Sequence, residues 1–180
     1  MDTVALTFDD GPYPETTPAL PAALGGTRAT FFLWGEHAEA HPDLVRAIAA
    51  AGHAIGNHTW THPRLTTLPA TGRDREVRRT QDLLTRLTGI RPSLFRPPYG
   101  DTDASVAATL AAHELTEVLW SVDTRDWAGC SVGEIVAAAG DAQPGGVVLM
   151  HDGRPATVEA VPRILAALTA RGLRSGPVRG

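Results

Sequence analysis

Short apolar runs alternate with longer amphipathic segments along this chain. The runs Val4–Phe8, Ala29–Trp34, His53–Gly56, Leu94–Arg96, Glu117–Val122 and Gly146–Met150 read as strands. Several are apolar at both parities, as strands covered on both faces should be. Between them the period changes. Asp43–Ala51 follows Pro42 and stops at Gly52, a start and stop that fit a helix. Arg73–Thr88 carries Val77, Leu84 and Leu87 at helical spacing and ends at Gly89. Ala104–His113 and Ser131–Ala139 read the same way. Val158, Val161, Leu165 and Leu168 form one stripe closed by Gly172. Glu15–Leu24 holds Pro18 and Pro21, which weakens a helix there. Strand and helix alternating six or seven times predict a parallel α/β fold. A full eight-fold barrel runs to ~250 residues, so 180 residues fit a shortened barrel or an open sheet, taken as one domain over residues 1–180.

Composition narrows the function. Hydrophobic residues make up 43% and charged residues 20%, enough for a packed core. A net charge of −4 argues against a nucleic-acid partner. No apolar run approaches the ~20 residues that span a bilayer, so no membrane role is expected. All 16 basic residues are Arg, which excludes Schiff-base and P-loop lysines. Cys130 is the only cysteine, so no intrachain disulfide or cysteine-rich zinc site can form. The chain opens MDTVALTFDDGP, without a basic and apolar leader. The expected location is extracellular or cell-wall associated if a signal peptide was removed, and cytoplasmic if Met1 is native.

The reactive residues recur at one place in each unit. Asp9 and Asp10 follow the first strand, and His58 and His62 the third. Arg96 closes the fourth, Asp123 and Asp126 follow the fifth, and His151 follows the sixth. In parallel α/β folds such positions share one rim, where active sites lie. Adjacent carboxylates such as Asp9 and Asp10 repel without a cation or a proton. Two histidines four apart can share a metal, and Pro63 disfavours α geometry at His62, so a loop or single turn is expected. No Glu follows His58, so this is not the zinc-protease helix. Asp10 is the best third ligand, and one carboxylate with two imidazoles leaves room for water, the catalytic kind of zinc site. Pro97 and Pro98 stiffen the segment after Arg96, which can dock bidentately on a carboxylate. His151, at the end of an apolar strand, is a candidate proton donor.

TFDDGP (Thr7–Pro12), HTWTH (His58–His62), RPPYG (Arg96–Gly100), DTRDW (Asp123–Trp127) and LMH (Leu149–His151) resemble, in order, the five motifs of the NodB-type polysaccharide deacetylases, carbohydrate esterase family 4. The resemblance runs from Val4 to about Leu173 and is nearest to the small acetylxylan esterase and chitooligosaccharide deacetylase branch. It implies a distorted, shortened (β/α)7-like barrel and a metal-dependent hydrolase that removes acetyl groups from a polysaccharide or oligosaccharide. Asp10, His58 and His62 would hold one divalent ion, Zn²⁺ or else Co²⁺ or Ni²⁺. Asp9 would be the general base and His151 the general acid. Arg96 would hold Asp9, Asp126 (or Asp123) would tune His151, and the Tyr99 N–H would complete an oxyanion hole. Trp127 and Leu149 would wall the acetyl pocket. Pro98 and an exposed Trp60 are further substrate-contact candidates, with Trp34 more buried than Trp60. A monomer is expected.

Three rivals remain at this point. The acetyl group could be the O-acetyl of xylan instead of the N-acetyl of an N-acetylglucosamine polymer. The substrate could be a small acylated natural product. The domain could bind carbohydrate without catalysis, although no ligand or base position is lost.

Overall fold

A computed structural model describes residues 2–179. Eight parallel strands and seven helices form an open, curled (β/α) barrel, the shortened barrel anticipated above. The strands are β1 (Thr3–Asp9), β2 (Thr30–Leu33), β3 (Ala54–Asn57), β4 (Leu94–Phe95), β5 (Thr116–Glu117), β6 (Val122–Asp123), β7 (Val147–His151) and β8 (Arg174–Gly176). Their order is β5-β4-β3-β2-β1-β7-β6, with β8 pairing the start of β1. β1 and β2 are buried along almost their whole length, which explains their unbroken apolar runs.

The helices are α1 (Leu20–Ala23), α2 (Gly35–Ala40), α3 (Pro42–Ala50), α4 (Ala70–Thr88), α5 (Ala104–Ala112), α6 (Val132–Gly140) and α7 (Pro155–Ala170). Their ends follow the local chemistry. The Asp103 carboxylate accepts the Ser105 and Val106 amides at the start of α5, and Ser131 with Glu134 forms a capping box on α6. Gly89 ends α4 in the left-handed conformation, at φ 73°. The main core joins Leu6 and Phe8 of β1, Phe31 of β2, Val148 and Met150 of β7, and Val161, Ile164 and Leu168 of α7. Each such side chain contributes about 1.5–3 kcal/mol through burial. No described helix is long and apolar enough to cross a membrane.

Four elements differ from the sequence reading. The expected strand Glu117–Val122 is two strands, β5 and β6, at opposite ends of the sheet. Between them, the carbonyls of Val118 and Leu119 accept hydrogen bonds from the Arg96 guanidinium at 3.0 and 3.2 Å, so a side chain takes the place of a neighbouring strand. The Glu15–Leu24 helix shrinks to Leu20–Ala23, with Pro21 in its first turn. α2 and β8 were not anticipated, because GEHAEA and RSG carry no apolar period.

Candidate active site

The carboxyl ends of β1, β3, β4, β6 and β7 meet around a cleft of about 380 Å³. It is lined by Asp9, Asp10, His58, His62, Tyr99, Trp120, Asp123, Trp127, Leu149 and His151. Sheet register sets much of this geometry. Asp9 lies opposite His151 across the β1–β7 pair. Asn57 lies opposite both Leu33 and Phe95, so the residues that follow, His58 and Arg96, emerge side by side.

The loop from His58 to His62 is held from behind by α4. Glu76 is buried and accepts the Trp60 amide at 2.9 Å, the Thr61 amide at 2.8 Å and the Thr61 hydroxyl at 2.9 Å. The Asn57 carboxamide donates to Val77 O and Gln81 Oε1 and accepts the Thr59 amide. From the other side, the first amides of α2, Gly35 and Glu36, donate to the carbonyls of Thr59 and Trp60. His62 sits in the left-handed region at φ 58°, so the segment is a loop, as Pro63 suggested.

This loop brings His58 Nε2 and His62 Nε2 to 3.4 and 3.2 Å from Asp10 Oδ1. The tautomer of His58 is fixed: its Nδ1 lies 2.6 Å from the Arg96 carbonyl, which can only accept, so Nδ1 carries the proton. In the neutral ring, Nε2 then points a lone pair at Asp10. Asp10 Oδ1 is buried and accepts no hydrogen bond. Three electron-rich atoms facing one another need positive charge between them. Two imidazolium rings with centroids 5.0 Å apart would repel each other, whereas one divalent ion satisfies all three donors. The residues therefore fit a metal centre of one carboxylate and two imidazoles. Burial alone would raise the Asp10 carboxyl; positive charge facing it, from His58 and His62 in contact or from His151 farther off, overrides burial and holds it well below the usual carboxylate range. His62 Nδ1 contacts the Tyr99 hydroxyl at 3.1 Å, and its ring stacks on Trp34, which stacks in turn on His37. His37 Nδ1 donates to the Asp10 carbonyl at 2.9 Å.

Asp9 is buried beside this centre, with Oδ2 at 3.9 Å from His58 Nε2. Arg96 is fully buried and reaches Asp9 Oδ1 with Nη1 at 2.8 Å. The contact is through one N–H and not the bidentate fork expected, because Nε and Nη2 are committed to Val118 and Leu119 and Nη1 also serves the Thr7 hydroxyl. Across the cleft, His151 Nδ1 donates to Asp126 Oδ1 at 2.7 Å. The same carboxylate accepts the Trp127 amide on Oδ1, and the His151 amide and Thr157 hydroxyl on Oδ2. Burial works against the imidazolium of His151, but Asp126 outweighs it and the ring is raised above its ordinary value. Asp126 is correspondingly lowered, burial being overcome by the hydrogen bond and charge of His151. Asp123 instead holds the Trp127 indole, with Nε1 at 3.3 Å from Oδ1.

Tyr99 adopts φ 62°, ψ 7°, and the hydrogen bonds of its turn run from the Gly100 and Asp101 amides, leaving the Tyr99 N–H outside them. Trp127 and Leu149 line the cleft, with Trp127 49% exposed. Two expected substrate contacts do not reach it. Trp60 is only 4% exposed, packed over Gly35 with the Arg79 guanidinium 3.5 Å from its ring. Its backbone serves Glu76, which turns the indole inward. Pro98 is buried within its turn and does not line the cleft. Trp34, expected to be the more buried of the pair, is half-buried beside His62. Trp120, Glu76 and His37 were not singled out from sequence. Trp120 was absorbed into an apolar strand pattern, and Glu76 reads as one more charge on a polar helix face.

Known proteins resemble this chain in sequence and in fold. Residues 1–118 match the family model described as polysaccharide deacetylase. A peptidoglycan-N-acetylglucosamine deacetylase of Bacillus cereus is 39% identical over 178 residues, covering 95% of this chain and 65% of that protein. A chitooligosaccharide deacetylase of Rhizobium leguminosarum is 38% identical over 193 residues, covering 97% of this chain and 90% of that one. A solved family 4 carbohydrate esterase from Streptomyces lividans, in complex with acetate, superposes with a TM-score of 0.94 at 45% identity, covering 97% of this chain and 92% of that one. The chain belongs to the polysaccharide deacetylase family, the family 4 carbohydrate esterases.

Proposed function

We propose that this chain is a metal-dependent hydrolase that removes the N-acetyl group from N-acetylglucosamine units of an oligosaccharide or polymer. The observation that carries the reading is the convergence of Asp10 Oδ1, His58 Nε2 and His62 Nε2 on one point, flanked by Asp9 on one side and the His151–Asp126 pair on the other. Two relatives, named for peptidoglycan N-acetylglucosamine and for chitooligosaccharide, support the substrate class.

Asp10, His58 and His62 would hold the ion, and a donor set of two nitrogens and one carboxylate suits Zn²⁺, with Co²⁺ or Ni²⁺ able to replace it. Such an ion supplies a Lewis acid that lowers the pKa of water and polarises a carbonyl. Asp9 takes the proton from the attacking water. Arg96 keeps Asp9 aimed, since its guanidinium is buried and held in the core. The Tyr99 N–H donates to the carbonyl oxygen as charge develops there. His151, kept protonated by Asp126, gives its proton to the leaving nitrogen. Trp127 and Leu149 enclose the acetyl methyl. An amide ion is a far poorer leaving group than an alkoxide, so a well-supported acid favours amide over ester cleavage.

The test is acetate release by metal-stripped protein, and by protein reconstituted with Zn²⁺ or Co²⁺, on N-acetyl chitooligosaccharides and acetylated xylan in parallel. Release from the chitooligosaccharides that appears only with metal is expected. Metal bound without acetate from them would overturn the reading.

A further inference from the structure

One buried carboxylate behind the cleft takes no part in the chemistry above. Asp152 is 2% exposed and does not line the cleft. Its Oδ1 accepts the Thr16 hydroxyl at 2.5 Å and the Gly153 amide at 2.8 Å, and its Oδ2 accepts the Thr17 hydroxyl. Both threonines are themselves 2% exposed. The direction of these bonds is fixed. An ionised carboxylate has no proton to give, so both hydroxyls donate to Asp152, while Thr16 Oγ1 accepts the Gly153 amide at 2.8 Å and Thr17 Oγ1 the Tyr13 amide at 2.7 Å. Only a group that accepts on both oxygens completes this arrangement.

The network joins parts of the chain some 135 residues apart. The Asp152 amide donates to the Asp9 carbonyl at 2.9 Å. Its carboxylate presses on the backbone of Gly11, where an added Cβ would lie 2.4 Å from Oδ2. Gly11 directly follows Asp10, and Asp152 directly follows His151. We propose that Asp152 is a positioning residue: through Thr16, Thr17 and Gly11 it clamps the loop after Asp10 onto the end of β7, and so fixes the spacing of Asp9, Asp10 and His151. The inference rests on the reading of Asp10, His58 and His62 as a metal centre.

Asp152→Asn places an amide donor against a threonine hydroxyl whose lone pair already serves a backbone N–H. Thr17→Val removes one hydroxyl at constant volume, while Thr17→Ser keeps it. In the full chain, the Zn²⁺ dissociation constant is read by competition with a chromophoric chelator, alongside melting of the metal-free proteins and kcat and KM on a chitooligosaccharide. Loss of a group that orients a metal ligand weakens metal binding by about 10–100-fold. Asp152→Asn and Thr17→Val should therefore bind Zn²⁺ at least ~10-fold more weakly and lose kcat more than KM, while Thr17→Ser stays near wild type. Should Asp152→Asn fail to fold, the Val and Ser pair at position 17 carries the test. Wild-type zinc affinity in Asp152→Asn and Thr17→Val, with only their melting temperatures lowered, would overturn the clamp. Zinc affinity is read without substrate, so a wild-type protein that binds Zn²⁺ yet releases no acetate would refute the proposed deacetylation and leave the clamp standing.

Discussion

Replacing Asp126 by Asn separates the proposed proton donor, His151, from the rest of the site. The Asp126 side chain is fully buried, the His151 side chain is 14% exposed, and their contact is 2.7 Å. Screening by water is therefore limited, and the directly bonded carboxylate favours the imidazolium. A hydrogen bond to a charged group contributes about 1.5–3 kcal/mol. Burial opposes the charged ring and Asp126 overrides it, so removing the charge must lower the His151 pKa. The alkaline limb of the pH–rate profile on an N-acetyl substrate should then move to lower pH. Above both values, amide hydrolysis should fall about 10–100-fold. At the acid end, where His151 is protonated in both proteins, the difference should nearly vanish.

A control is needed because Asp126 accepts four hydrogen bonds and Asn must turn an NH₂ towards some of those donors. That mismatch costs about 1–3 kcal/mol of stability and affects every substrate alike. An aryl acetate, whose phenolate leaves without a proton, isolates the acid: its hydrolysis should be nearly indifferent to Asp126→Asn at a temperature where the variant is folded. An alkaline limb that does not move, or equal losses on amide and aryl ester, would refute the argument. The same pair shapes stability. Asp126 is lowered, so its contribution is present above about 3.9 and is lost as pH falls through its folded value. His151 is raised, so its contribution is complete below about 6.5 and is lost as pH rises through its folded value. The pair therefore stabilises most between those limits.

Other substitutions separate the remaining roles. Asp10→Asn or His58→Ala should abolish stoichiometric zinc, read by elemental analysis after dialysis, and acetate release with it. Asp9→Asn should keep the zinc and lower kcat by about 10²–10⁴-fold; an active, metal-loaded variant would remove Asp9 from the base role. Trp60→Ala should cost about 3–5 kcal/mol in a denaturant titration, whereas Trp127→Ala, at the exposed cleft wall, should leave stability nearly unchanged and raise KM.

The rim was legible in the sequence because strand ends in a parallel sheet share one side. Asp9, Asp10, His58, Arg96, Asp126 and His151 could be assembled from five of the six apolar runs and the residues at or just past their ends. The fifth run misled, because Leu119 and Trp120 continue an apolar pattern that looks like strand. What ends the strand is Arg96, 22 residues away, taking the Val118 carbonyl, and no local pattern reports that. Trp60 misled for a similar reason. A residue between two metal ligands was expected to face the ligand, but Glu76, 16 residues further on, captures its amide and turns the indole into the core.

The backbone of the site shows why such distant partners matter. Of six non-glycine residues at positive φ among the described residues, four are Asp10, Thr59, His62 and Tyr99, with φ of 72°, 69°, 58° and 62°. Left-handed geometry costs an L-residue roughly 1–2 kcal/mol, and Thr59 is β-branched besides. No local propensity would choose it four times within one cleft. It persists because each turn is held from outside itself. Glu76 and Asn57 hold the histidine loop, Asp152 and its threonines hold the chain just after Asp10, and paired prolines precede Tyr99. Strain of this kind survives where the surroundings over-determine it. The left-handed turns aim Asp10 Oδ1 and His62 Nε2 at one point, and an unstrained backbone at those residues would direct them elsewhere. The rigid network beneath the cleft is therefore a condition of the proposed metal centre, which is why a chemically silent residue such as Asp152 should register in zinc affinity.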